Sequence, residues 1–330
     1  MNPIDLEALE KAEAHSPIKI ESPWYTLDLV HRFGRFTAIA NDGFQTGSVA
    51  LYGDWAHEES LILEALLEPG NWVLDLGANT GSLTLAFAAA VGEKGKIFAF
   101  EPQPLPFQCL VSNIVRNSLS HYVLPFRAAI GEQEGEILCP ILDARKCNNF
   151  GGCSLVDPDL HGEHVEPVPL MTIDSLHLPA CHLIKADIEG MESDALKGAF
   201  QTISKFRPSI WAEQLDSRKN SRQDLLAIFL EHDYRAWRIV TPIFSPRNIR
   251  RNRVNPYRFP DGSAMVDTNI LALPKEHPAC ESLFTWLASS LLHATIEDLS
   301  TPSSPQTLSK PNPEDFEADL AIGTSGANPS

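Results

Sequence analysis

What the chain lacks closes off several classes of function. None of its six cysteines forms a C-x-x-C pair, which removes zinc-ribbon and thioredoxin-like chemistry. No stretch supplies roughly 18 uninterrupted apolar residues, so no membrane span is expected. The opening residues, MNPIDLEALEKAEAH, are acidic and helical in pattern, without the basic-then-apolar order of a secretory leader. A cytoplasmic protein with reduced thiols and no membrane partner is the expectation. No long basic run offsets the formal net charge of −17, so the overall field does not steer the chain toward nucleic acid. An N/D-P-P-Y/F motif is absent, and so are internal repeats. The G-x-G-x-x-G fingerprint of dinucleotide folds is missing too.

What is present is a long α/β pattern. The chain has 330 residues, of which 43% are apolar, enough for a sizeable core. Short runs at 24–52 (WYTLDLV, RFTAIA, SVALY) read as strands between Gly and Asn-Asp-Gly turns. HEESLILEALL (57–67) has helical spacing and stops at Pro69-Gly70. Alternation then begins: strand 71–77, helix 80–91, strand 96–101, helix 104–118, and a strand over 121–131 interrupted by Pro125. Two strands around a polar loop occupy 132–170. A strand at 181–188, one helix over 191–205, a strand at 208–215, a helix at about 220–232 and a strand at 234–242 follow, and 267–274 closes the sheet. This predicts a doubly wound, mostly parallel, seven-stranded Rossmann-like sheet. The expected layout is an N-terminal extension (1–45), a main domain (46–275), a C-terminal helix (276–299) and a disordered tail rich in Ser and Pro (300–330).

The strongest constellation is VLDLGANTG (73–81). Asp75 falls near the carboxyl end of a strand, where open α/β sheets bind ligands. Gly77 and Gly81 permit a sharp turn and a close backbone approach. A carboxylate placed before the turn suits the cationic amino end of S-adenosylmethionine better than a diphosphate. Glu101, directly after the second strand, can accept both hydroxyls of a ribose.

With these pieces in order, the chain resembles an FkbM-type methyltransferase, a class I S-adenosylmethionine-dependent family. The matching segments are GDWAHEES (53–60), Pro69-Gly70, VLDLGANTG, IFAFEPQP (97–104), Asn113 to Asn117, AAIG (128–131), FGGCSL (150–155), LIKADIEGMESDALKGA (183–199), IWAEQ (210–214) and NILALP (269–274). They span roughly residues 45–275, with Ala186 and Met191 as mild departures. The resemblance implies that Asp75, Gly77, Asn79 and Gly81 line the methionine side of the cofactor. Glu101 would hold the ribose, and Glu58, on the preceding helix, would also face the cofactor. It further implies O-methylation of a hydroxyl on a small-molecule or glycan acceptor.

KADIEGME (185–192) marks the expected reaction centre. Asp187 and Glu189 can both project over a strand-end cleft, and a carboxylate there can accept or orient a hydroxyl proton. Glu213, at the end of the next strand, is a third candidate on the same rim. Three acids can also hold a divalent cation, but no metal is assigned. His161 and His164 read as surface loop and His182 as structural. The loop CNNFGGCSL (147–155) is placed against the acceptor. RNIRRNRVNPYR (247–258) holds five arginines and no acid, and Arg250 and Arg251 are expected to bind an anionic acceptor. The competing readings are an NAD-dependent oxidoreductase using Glu101 for ribose, and a non-catalytic cofactor-binding protein.

Overall fold

The computed structural model describes residues 24–156, 164–215, 221–280 and 294–299. The expected N-terminal helix, His161 and the 300–330 tail lie outside the described residues.

A hairpin comes first, β1 (Thr26–His31) pairing antiparallel with β2 (Gly34–Ile39), followed by helices α1 (Gln45–Tyr52) and α2 (His57–Ala65). The alternating unit is β3 (Trp72–Leu76), α3 (Ser82–Val91), β4 (Lys96–Phe100), α4 (Pro104–Arg116) and β5 (Val123–Phe126). A small second sheet is then inserted, made of β6 (Ala129–Ile130), β7 (Gly135–Pro140) and β8 (Val165–Met171). The chain returns through β9 (Leu183–Ala186), α5 (Glu192–Lys197), α6 (Phe200–Phe206), β10 (Ser209–Glu213) and α7 (Ser221–Glu231). It ends with β11 (Tyr234–Pro242), β12 (Val266–Pro274) and β13 (Thr295–Asp298).

The main sheet has eight strands in the order β13-β11-β12-β10-β9-β3-β4-β5. β5, β4, β3, β9 and β10 run parallel, whereas β12, β11 and β13 are antiparallel to their neighbours. The expected seven-stranded, mostly parallel sheet is therefore corrected to an eight-stranded mixed one. The β12 strand lies inside the sheet, between β10 and β11, rather than at its edge. The edge is β13, inside the span expected to be helix over 276–299; residues 281–293 are not described.

Burial on both faces explains the apolar runs of the parallel strands. Val73, Leu183, Trp211 and Leu271 pack on the face covered by α2, α3 and α4. Leu74, Ile184, Ile210 and Ala272 pack on the opposite face, with Ala195, Ile203, Leu225 and Phe229 from α5, α6 and α7. Odd-numbered positions of these strands thus point to one layer and even-numbered ones to the other.

Local differences from the sequence pattern have local causes. SVALY belongs to α1, not a strand; the helix is buried throughout and ends at Gly53 in the left-handed region (φ 86). A short apolar run carries no period that separates the two forms. The strand expected over 121–131 divides into β5 and β6, which enter different sheets. The single helix expected over 191–205 is two, α5 and α6, broken at Gly198, where a Cβ would lie 2.2 Å from the Gly131 carbonyl oxygen.

The hairpin is not a loose extension. Asn113 of α4 accepts the Thr37 N–H and donates to the Thr37 carbonyl at 3.0 Å, and Asn117 does the same for Arg35 at 2.9 and 2.8 Å. Two asparagine amides thus stand in for a neighbouring strand along β2.

Candidate active site

After β5 the chain crosses to the other side of β3, so the connections leaving β3 and β9 diverge and a crevice opens at their carboxyl ends. A cavity of about 440 Å³ fills it, within the usual size for a small-molecule site. The odd-numbered parity brings Asp75, Lys185 and Glu213 onto one face of adjacent strands. Asn269 lies opposite Glu213 in the β10–β12 register, and Asp267 is two residues away on the same face. Glu59, on α2, lines the cavity from the covering layer.

Lys185 is the hub. Its ammonium donates to the carbonyls of Gly77 (2.9 Å) and Leu76 (3.3 Å), and sits 3.3 Å from Asp187 Oδ2 and 3.6 Å from Asp75 Oδ1. Burial alone would lower its pKa, but the charges of Asp187, Asp75 and Glu59 outweigh burial and raise it. The lysine ties the turn after β3 to the turn after β9. These turns approach so closely that a Cβ on Gly77 (φ +76) would lie 1.8 Å from the Asp187 carbonyl oxygen. Only glycine fits there.

Glu101 forms one wall. Its carboxylate accepts the N–H of Asn79 at 2.9 Å and of Gln103 at 2.8 Å, which fixes its plane while it faces the cavity. Across the cavity Asp187, Glu189 and Glu213 each offer an oxygen within 4.8 Å of the others. The turn carrying Glu189 (φ 54) is held by Glu192, whose Oε1 accepts the N–H groups of Ile188 (3.0 Å) and Gly190 (2.9 Å). The 147–155 loop contributes Asn149, Gly151, Gly152 and Cys153 to the lining. Gln103 Nε2 donates to the Phe150 carbonyl (2.7 Å), and Ser154 Oγ donates to the Glu189 carbonyl (2.8 Å), so the loop is fastened on both sides.

Burial raises the proton affinity of the acids around this lysine, and for several of them neighbouring carboxylates add to it. Burial, with smaller charge effects, lifts Glu59 to about 8, Glu101 to about 7 and Asp267 to about 7. Burial and then the charge of Asp187 push Glu189 and Glu213 upward. Burial thus favours the protonated form of these acids, and a nearby positive charge would favour their ionised form instead.

Asp187, Glu189, Glu213, Gly77, Asn79 and Glu101 all line the cavity. Asp75 does not: it is fully buried beneath the floor, where Thr84 Oγ1 donates to it at 2.6 Å and Lys185 faces it. Gly81 starts α3 and packs on α4, its Cβ position 2.7 Å from Leu110 Cδ1. Glu58 points away and accepts a hydrogen bond from Ser245 Oγ at 2.5 Å; its neighbour Glu59 is the cavity residue. One residue along a helix turns the side chain by about 100°.

Arg250 and Arg251 are outside the cavity lining. Arg250 donates to the Ala50 carbonyl (2.8 Å) and the Val30 carbonyl (3.0 Å), closing the last turn of α1, and Arg251 is exposed. His164 is exposed, and His182 accepts the Trp72 N–H at 2.9 Å, a structural role. Lys185, Glu59, Asp267 and Asn269 were not picked out from the sequence. For Lys185, Asp267 and Asn269, parity along the strands was the available signal, since each lies on its strand's odd-numbered face.

The family model of the methyltransferase FkbM domain matches residues 75–236. No curated protein sequence matches the chain. Among solved structures, a methyltransferase FkbM from Methylobacillus flagellatus KT is similar at 19% identity and TM-score 0.41, over 63% of this chain. The chain spans 44% of that protein's length. A SAM-dependent O-methyltransferase from Thermotoga maritima is similar at 13% identity and TM-score 0.38, over 76% of this chain and 78% of its own. An O-methyltransferase from Bacillus cereus in complex with SAH is similar at 15% identity and TM-score 0.37, over 66% and 78%.

Proposed function

Because residues 75–236 belong to the methyltransferase FkbM domain family, we propose that the protein transfers a methyl group from S-adenosylmethionine to a hydroxyl of a small-molecule or glycan acceptor. The observation that carries this reading is one cavity with two acidic ends: Glu101, fixed by the Asn79 and Gln103 amides, and the trio Asp187, Glu189 and Glu213.

The residues fit such a donor. Asn79 Oδ1 and Gln103 Oε1 are buried without a hydrogen-bond donor, both beside Glu101. The bare Gly77 turn lets an elongated ligand lie against backbone. Glu101 would take the ribose hydroxyls, with Asn79 and the turn toward the methionine end. When bound, the donor supplies an electrophilic methyl on a sulfonium.

The chain's own work is orientation and proton handling. Lys185 holds the Asp187 carboxylate at a fixed place on the cavity wall. Asp187 accepts the hydrogen bond of the acceptor hydroxyl and aims its lone pair at the methyl carbon; such positioning supplies much of a transfer's rate. Glu189 and Glu213 flank it and complete the acidic end of the cavity. The 147–155 loop screens the reacting atoms from water. With acids predominating on the walls and Arg250 engaged elsewhere, the acceptor is neutral or cationic rather than anionic.

Calorimetric titration with S-adenosylmethionine, alongside NADH fluorescence quenching, tests the donor. Binding of the first and not the second is expected, and Glu101→Ala weakens it at least about tenfold, the loss of a charge-assisted hydrogen-bond pair. Binding of NADH alone would overturn the reading. An acceptor screen followed by mass spectrometry, seeking the gain of one methyl, then finds the substrate class.

A further inference from the structure

Among the described residues, no protein cation completes the acidic trio. The contacts of Lys185 go to two carbonyls, Asp187 and Asp75, and among the described residues no cationic side chain pairs with Glu189 or Glu213. Glu213 Oε2 is buried with no donor. An independent sign comes from Asn269. It is 2% exposed, lines the same cavity, and stands directly opposite Glu213 across the β10–β12 ladder. Its Nδ2 meets no acceptor, although a carboxylate is its cross-strand neighbour. A buried amide and a buried carboxylate side by side normally satisfy one another. Here both present open polar atoms to the same space, and turning the amide over directs its carbonyl oxygen there instead.

We propose that Asp187, Glu189, Glu213 and the Asn269 side-chain carbonyl form a site for a hard divalent cation in the reaction cavity. The donor set is all oxygen, which selects Mg²⁺, Mn²⁺ or Ca²⁺ over thiolate- and imidazole-seeking metals. Three carboxylates and one amide leave coordination positions for water or a ligand oxygen. Asp267, two residues before Asn269 on the same face, lines the same cavity. What the cation does rests on the methyl-transfer reading; the site itself does not. A hydroxyl bound to the cation becomes more acidic and is held in place. Its proton leaves to a carboxylate of the cavity wall, its oxygen forms the new bond to the methyl carbon, and the sulfur keeps the electron pair of the broken S–C bond.

The test uses the full chain, stripped with a chelator and titrated with Mn²⁺. Loss of the free-ion electron paramagnetic resonance signal and calorimetry give stoichiometry and affinity. One Mn²⁺ per chain with Kd below about 1 mM is expected. Glu213→Gln and Asn269→Leu should each weaken it at least about tenfold, the usual scale for losing one ligand or its support. Absence of binding in the parent protein, or unchanged binding in both variants, overturns the site. If either variant fails to fold by circular dichroism, Asp187→Asn is read in its place. Titrating S-adenosylmethionine into the same samples separates the two ideas. Mn²⁺ binding without donor binding keeps the site and removes the methyl-transfer reading; donor binding without Mn²⁺ does the reverse.

Discussion

Asp187 and Glu101 show how position, rather than residue type, sets what a carboxylate does. Asp187 is partly open to the cavity and tethered to Lys185 at 3.3 Å, so it can hold an acceptor hydroxyl without losing its own place. Asp187→Asn should lower kcat by about 10²–10⁴-fold while leaving the Kd for S-adenosylmethionine near the parent value, measured by steady-state kinetics and calorimetry. Parallel losses in both would make Asp187 a donor-binding residue instead. Glu101 is buried and held by backbone donors rather than by a lysine, which suits it to hold hydroxyls rather than to move protons. Asp187 and Glu101 were legible in the sequence as strand-end acids, and both line the cavity. On α2 it is Glu59 rather than Glu58 that lines it, since nothing in HEES says which of two adjacent glutamates a helix turns inward.

At the scale of the element, the Arg-rich segment changes meaning most. From charge alone it read as an anion site. In the structure Arg250 caps carbonyls of α1 and β1, while Tyr52 and Tyr257 hydroxyls donate to the Val254 and Phe44 carbonyls at 2.8 Å. The 245–258 segment is a strap over α1, and the absence of a Cβ at Gly53 makes room for Ile249 at a position 2.6 Å away. Arg250→Ala is expected to cost about 1–3 kcal/mol in denaturant unfolding, from two charge-assisted hydrogen bonds to main-chain carbonyls, with acceptor KM unchanged. A raised KM at unaltered stability would restore the anion-binding reading. The turn after β3 works by the same logic of close approach. Gly77→Ala introduces a Cβ where the Asp187 carbonyl lies, on a backbone at φ +76, and should lower the melting temperature and weaken donor binding together.

At the scale of the whole molecule, the acids gathered in the cavity link stability to pH. Burial raises Glu59 from 4.5 to about 8. Between those values the folded protein keeps a proton there that the unfolded chain releases, so this contribution is present below 4.5 and is lost as pH rises to about 8. Ligand-free Glu59→Gln should therefore be more stable than the parent above about pH 8, by about 2–4 kcal/mol, with the gap closing toward acid, followed by thermal melts across pH. A gap that is constant with pH would mean Glu59 is ionised in the folded protein. By itself the sequence determined the alternation of strands and helices, the glycine turn, the two strand-end acids and the loop that closes over them. These follow from local rules of burial, period and turn geometry that act within a few residues. The tertiary structure alone decided which strands are neighbours, how the antiparallel β12 inserts between β10 and β11, and where Asn269 and Asp267 meet Glu213. It also decided that Asp75 lies under the floor beside Lys185 while Glu59 looks in from above. Those pairings join residues far apart in the chain, and the packing of two helical layers on one sheet fixes them, a constraint no short segment carries.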